Sequence, residues 1–226
     1  MSLIKIYILF LLFPLCHYAQ SKTNTTIHPI DCDSSLITLD IKHIELLDNL
    51  IAKAQQAKRK EKIELERQFF CAMPNSNDSM LDLIYLDEVE NWKKRNKTGK
   101  LPATNSLIHR FISYFSKLES IDPNQYYNKY INICVDGFYG ADYNRNGFQI
   151  YERLENDTKT ICAVLLQRNE TEIISVFRFI FDSSHPKNEF NQDIFDNIYP
   201  LIKAENKRLA YLFKKSLEDL IKQKHH

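Results

Sequence analysis

The sequence predicts an all-α protein, a single compact domain of about seven to nine helices behind a cleaved signal peptide. Three observations carry that prediction. Only four glycines occur in 226 residues, and Gly137, Gly140 and Gly147 share one short stretch, whereas sandwiches and barrels need many tight turns. Apolar residues recur at three- and four-residue steps in several windows. The composition, 44% apolar and 26% charged, is that of an ordinary globular chain and excludes disorder as the dominant state.

The first twenty residues read as an address. Lys5 precedes a continuous apolar run from Ile6 to Leu15, and Ala19-Gln20 offers the small residue of a cleavage site, the pattern of a secretory signal. The run is too short for a permanent span, which needs about 20 apolar residues. Cleavage near Ala19 or Gln20 and export to a periplasmic or extracellular compartment are therefore expected. Lipidation of Cys16 is the rival, and the bulky Leu15 before it argues against that. Loss of Lys5 with the leader leaves 29 basic and 29 acidic residues, a balance that gives no electrostatic reason to expect nucleic acid or an anionic membrane as partner. No later segment has spanning length. Residues 21–35 read as a polar tail and 36–226 as the helical domain.

Within the domain, Ile41, Ile44, Leu47, Ile51 and Ala54 form an apolar stripe that Leu65, Phe69 and Met73 continue. The charged run Lys58-Arg59-Lys60-Glu61-Lys62 between them reads as the solvated face of one long helix. Residues 75–77 and 94–102 read as loops. Leu107, Ile108, Phe111, Ile112, Phe115 and Leu118 make a second stripe, entered through Thr104, Asn105 or Ser106 as an N-cap. Asp122-Pro123 is a helix start, the acid capping free amides and proline losing no needed donor; Tyr126, Tyr127, Tyr130, Ile131 and Cys134 follow on one side. Phe148, Tyr151 and Leu154 suggest a short helix, and Ile161, Val164 and Leu165 another. Asn169 with Glu172 resembles a capping box opening Ile173–Phe181, a segment apolar around most of its circumference and suited to the centre of a bundle. In the last stretch, from Ile194 to Leu220, Pro200 either kinks one helix or opens a second.

Four cysteines follow the leader, Cys32, Cys71, Cys134 and Cys162, and an oxidising compartment permits three full pairings. Cys134 and Cys162 fall on apolar helix faces and read as buried thiols. A straight helix over 41–71 would be about 45 Å long, beyond the roughly 30 Å reach of the chain from Cys32. A Cys32–Cys71 bond therefore requires a hairpin, and the run at 58–62 is where it would break.

Chemistry is sparsely signalled. Asp142, Asn144, Asn146 and Gly147 reproduce the first half of a calcium loop, but the twelfth position is Arg153 where a bidentate glutamate is needed. A helix connection with Asp142 or Asn146 capping the next helix explains the loop better. Asp182-Ser183-Ser184-His185 puts an acid, two hydroxyls and an imidazole together, yet neighbours this close seldom reach triad geometry, and His185 beside Pro186 reads as a helix end. No His-Glu-x-x-His helix or phosphate loop occurs, so neither a metal nor a cofactor is expected. Sequons begin at Asn24, Asn77, Asn96, Asn156 and Asn169; helix capping accounts for the last two without glycans. The tyrosines of 126–130, with Phe138, Tyr139, Tyr143, Phe148 and Tyr151, read as a core with hydroxyls at its rim, and alternatively as a groove for a ligand.

The segments YFSKL, YYNKYINICVDGFYGAD, FQIYERL and EIISVFRFIFDSSHPKN, with FFCAMPNS upstream, resemble an uncharacterised family of exported bacterial helical proteins. The resemblance spans roughly Gln68 to Asn188 and implies export and an all-helical fold, with no catalytic residue assigned. Together these readings favour a non-catalytic protein that binds another protein or exported macromolecule, of inhibitor or immunity type, with Asp136, Phe138, Tyr139, Asp142 and His185 as candidate binding residues. The alternative is a hydrolase with a site between the 136–147 loop and His185.

Overall fold

Asp40 opens the first helix, α1 (Ile41–Gln56), by accepting from the His43 amide at 2.9 Å, as an N-cap acid should. Helix α2 (Arg59–Ala72) follows after only Ala57 and Lys58, both in extended backbone. The long continuous helix expected from the stripe is thus two helices. The break falls at Ala57 and Lys58, beside the charged run, and folds α2 back along α1. The apolar stripe survives, since Ile44, Leu47, Ile51, Phe69 and Phe70 are all buried. The hairpin returns Cys71 to Cys32, and the two form a disulfide with Cα atoms 5.1 Å apart.

This computed structural model describes residues 31–32, 39–98, 107–137, 148–181 and 185–223. The signal peptide and nearly all of the polar tail lie outside the described residues, as do the Thr104–Ser106 cap and the calcium-like positions 142–147. Among the described residues there are nine helices and no strand. After α2 come α3 (Asn77–Thr98), α4 (Leu107–Ser116), α5 (Pro123–Cys134), α6 (Ile150–Leu165), α7 (Glu170–Ile180), α8 (Glu189–Glu205) and α9 (Lys207–Lys222). Helices α1 to α4 pack together, α6 to α9 pack together, and α5 touches α3, α6 and α7 between the groups. A single apolar core runs through both, so the chain is one helical domain.

Several boundaries differ from expectation. Helix α3 continues to Thr98, through residues that read as a loop from position 94. The two short helices expected between Phe148 and Leu165 are present, meeting at a kink where Asp157 has non-helical backbone, and carry the single label α6. Asn156 stands just before that kink, where its side-chain amide donates back to the Glu152 carbonyl at 2.7 Å. Asn169 does cap, with the full reciprocal box to Glu172, and Asp122 caps α5 with Pro123 beside it. Pro200 lies inside α8, and the chain turns six residues later at Asn206, whose side chain caps α9.

The centre is aromatic. Phe115 stacks on Tyr126 at 5.1 Å, Tyr130 meets Phe148 edge-on at 5.7 Å, and Phe148 meets Phe179 at 6.1 Å, a chain of rings joining α4 to α7. Phe213 of α9 collects Phe177, Phe181 and Phe195. Cys134 and Cys162 are free, buried thiols; burial raises both, Cys162 to about 12, so neither offers a thiolate.

Candidate functional site

Scarce glycine has a consequence at the helix ends. Helices commonly close on a left-handed glycine that lets the last carbonyls find donors. Here the residues ending α1, α2, α8 and α9 are Ala57, Met73, Asn206 and Gln223, all with φ below zero and ψ near extended values, while α5 reaches its left-handed residue at Asp136 without a glycine. The remaining carbonyls must then take donors from elsewhere; α2 takes them from side chains of other helices, as do the ends of α4 and α7.

At the end of α2, the Lys129 ammonium of α5 donates to the carbonyls of Phe70, Met73 (2.6 Å) and Cys71 (3.4 Å). Its nitrogen stands 4.7 Å from the Phe70 ring centre, and the side chain is buried. Burial pulls its pKa down from 10.5 to about 7. His43, also lowered by burial, pairs with the Ala72 carbonyl at 2.9 Å. At the end of α7, the buried Asn191 amide donates to Phe181 (3.1 Å) and Pro186 (2.9 Å). In the opposite direction, buried Asp87 of α3 accepts from the Ile108 amide at the start of α4 at 3.3 Å.

The third end is α4, and a groove surrounds it. Arg153 of α6 donates through Nε to the Ser116 carbonyl at 3.0 Å, through Nη2 to the same oxygen, and to Leu118 at 3.4 Å. Its guanidinium lies 4.8 Å from the centre of the Tyr126 ring. Asp157, at the irregular point of α6, accepts from the Tyr127 hydroxyl and stands 3.7 Å from Arg153 Nη1. Burial raises Tyr127, and its bond to Asp157 raises it further, which keeps the phenol protonated as the donor. Two clefts meet at Lys117. One, of about 360 Å³, runs between α1, α2 and α4 and includes Lys62, Glu66, Arg110 and Tyr114. The other, of about 440 Å³, lies against α6 and includes Glu119, Glu152, Arg153 and Asp157.

Charge divides along this groove. The first cleft carries Lys62, Arg110 and Lys117 against Glu66; the second carries Glu119, Glu152 and Asp157 against Arg153 and the shared Lys117. Arg110 is oriented by Asp48 and Gln55. Glu66 accepts from Tyr114, a phenol pushed up to about 12 by burial and by that carboxylate. Such a surface can hold a charged chain by hydrogen bonds at both ends. Neither Lys62 nor Lys117, both exposed, has the buried setting that turns lysine into a nucleophile.

The residues singled out from the sequence fall elsewhere. Asp136 is exposed in left-handed backbone at φ 56°; its amide donates to Ser175 Oγ at 2.6 Å, that hydroxyl donates back to its carboxylate at 3.1 Å, and Asn77 donates to its carbonyl. These bonds fasten the end of α5 to α3 and α7. His185 is exposed just before α8, and the donor to the neighbouring Phe181 carbonyl is Asn191, a role the sequence suggested for His185. Phe138, Tyr139 and Asp142 lie outside the described residues. Tyr126, Tyr127, Tyr130 and Phe148 are buried, so they form core and not a groove.

Lys129, Arg153 and Asn191 escaped the sequence reading. A signal existed for Lys129: it lies three residues from Tyr126 and one from Tyr130, on a face that is otherwise apolar. Arg153 counted only as a failed calcium ligand. Among the described residues, no group of three His, Cys, Asp or Glu side chains could hold a metal ion, and no helix is long and apolar enough to cross a membrane. No protein-family model matches this chain, and neither a curated protein nor a solved structure matches it.

Proposed function

We propose that this is an exported, non-catalytic binding protein of inhibitor or immunity type, whose groove at the end of α4 takes a segment of another exported polypeptide. The observation that carries the reading is the fixed position of Arg153, tied to Ser116 and Leu118 and lying over Tyr126. It makes the wall shared by both clefts a preformed surface, and preformed surfaces bind with less ordering cost. Both signs of charge stand along the groove, which favours a peptide carrying both over a neutral sugar. Export rests on the leader and on the resemblance to exported helical proteins.

The test is a photo-reactive side chain at position 117, with the same probe at Tyr211, which is exposed on α9, as control. In the native host the reading expects a discrete protein adduct from position 117 and none from 211, diminished when Glu119 and Glu152 are changed to Lys. Equal labelling from both positions, or none from 117, would count against it.

A further inference from the structure

The outer face of α3 carries a second surface, separate from the groove. Leu81, Tyr85 and Trp92, spaced by four and seven residues, lie along one side of the helix and are 43%, 67% and 61% exposed. Met80, Leu83 and Asp87 point the other way and are buried. Large aromatics are uncommon on a solvated face and dominate the energetics of contacts between proteins. This helix is also divided by charge. From Asn77 to Glu90 it holds five acids, Asp78, Asp82, Asp87, Glu88 and Glu90, and no base; from Asn91 to Thr98 it holds Lys93, Lys94, Arg95 and Lys97 and no acid. The helix dipole favours acids and bases only in the first and last turns, so it does not account for the exposed acids at 82 and 88; Asp87 is buried and serves the Ile108 amide.

A surface with acid at one end, base at the other and an apolar stripe between is complementary to itself when turned end for end. We propose that α3 is the contact through which two copies of this chain associate, antiparallel about a two-fold axis near residues 88 and 89. That register sets Tyr85 against the partner's Trp92, and the exposed Asp78 and Asp82 within one turn of the partner's Lys97 and the partner's Lys93 respectively, Lys93 being also paired with Glu90 of its own helix at 2.8 Å. A two-fold contact is the commonest closed symmetry, and it uses the same patch on both copies. The inference is independent of the groove, which lies at the end of α4 and on α6.

Sedimentation of the exported chain at low and high salt tests it. Association at micromolar concentration is expected, weakening about tenfold or more between 50 and 500 mM salt as the opposed charges are screened. Tyr85→Ser with Trp92→Ser should leave melting and circular dichroism unchanged and weaken association at least about tenfold. Asp78→Lys with Asp82→Lys should abolish self-association, as should Lys93→Glu with Lys97→Glu, whereas mixing these two variants should restore a one-to-one complex. A wild-type chain that stays monomeric, association that survives the Tyr85 and Trp92 changes, or charge variants that fail to associate when mixed would each overturn the proposal.

Discussion

Lys129 shows how a cation can be buried against carbonyls instead of a carboxylate. Its ammonium gathers the end of α2, so removing it strands buried acceptors, at about 1 to 3 kcal/mol for such a group. Lys129→Met, which keeps the aliphatic stem, is expected to lower stability by about 2 to 3 kcal/mol in urea denaturation. The pH dependence has a definite sign. The unfolded lysine holds its proton to about pH 10.5 and the folded one releases it near 7, so over that interval the unfolded state binds more protons and stability rises with pH. The advantage of wild type over Lys129→Met should therefore grow between pH 7 and 9. His43, also lowered by burial, acts further down. Its neutral form stabilises the fold above its ordinary value of 6.5, and that contribution is lost as pH falls below it, so His43→Leu should flatten the acid limb between pH 7 and 5. Part of this was legible: Lys129 interrupts an apolar face, which marks it, but the carbonyls it serves are about sixty residues away and leave no local trace.

Among the elements, those with local signals were the legible ones. Asp122-Pro123 and Asn169 with Glu172 start helices by contacts within four residues, and both do so here. The break at Ala57 was legible only on condition of a Cys32–Cys71 bond, because a run of cations reads the same on a continuous helix face and at the start of a new helix; the structure has both the bond and the break. Likewise, Asp157 has irregular backbone inside α6 while it takes the Tyr127 hydroxyl from α5, a partner thirty residues away. The disulfide belongs to this scale. It closes a loop with a separation of 39 residues, for which chain entropy gives about 4 kcal/mol. Cys32→Ser with Cys71→Ser, or reduction, should lower stability by an amount of that order, seen in calorimetry as a lower melting temperature, and the unfolding transition should remain cooperative because the core spans both helix groups.

For the whole molecule, one rule links sequence to surface. A chain with four glycines builds nearly all of its described residues into helices and closes several of their ends with side chains from other helices, so that Lys129, Arg153 and Asn191 bind distant parts of the bundle together. The candidate site was barely legible for the same reason: its walls come from α1, α2, α4 and α6, and Arg153 acquires its meaning only when Ser116 is beside it. Of the residues that local composition favoured, Asp136 serves the joint around it, and His185 is exposed before α8 with Asn191 serving the Phe181 carbonyl. The central claim is that Arg153 holds the groove in a preformed shape. Its most direct test is native-state hydrogen exchange at the amides of Lys117 and Leu118, which close the turn onto Tyr114 and Phe115. The account predicts protection in wild type that falls at least about tenfold in Arg153→Met, a loss of roughly 1.4 kcal/mol or more in local opening, with α9 unaffected. Equal exchange at those two amides in both proteins would contradict it.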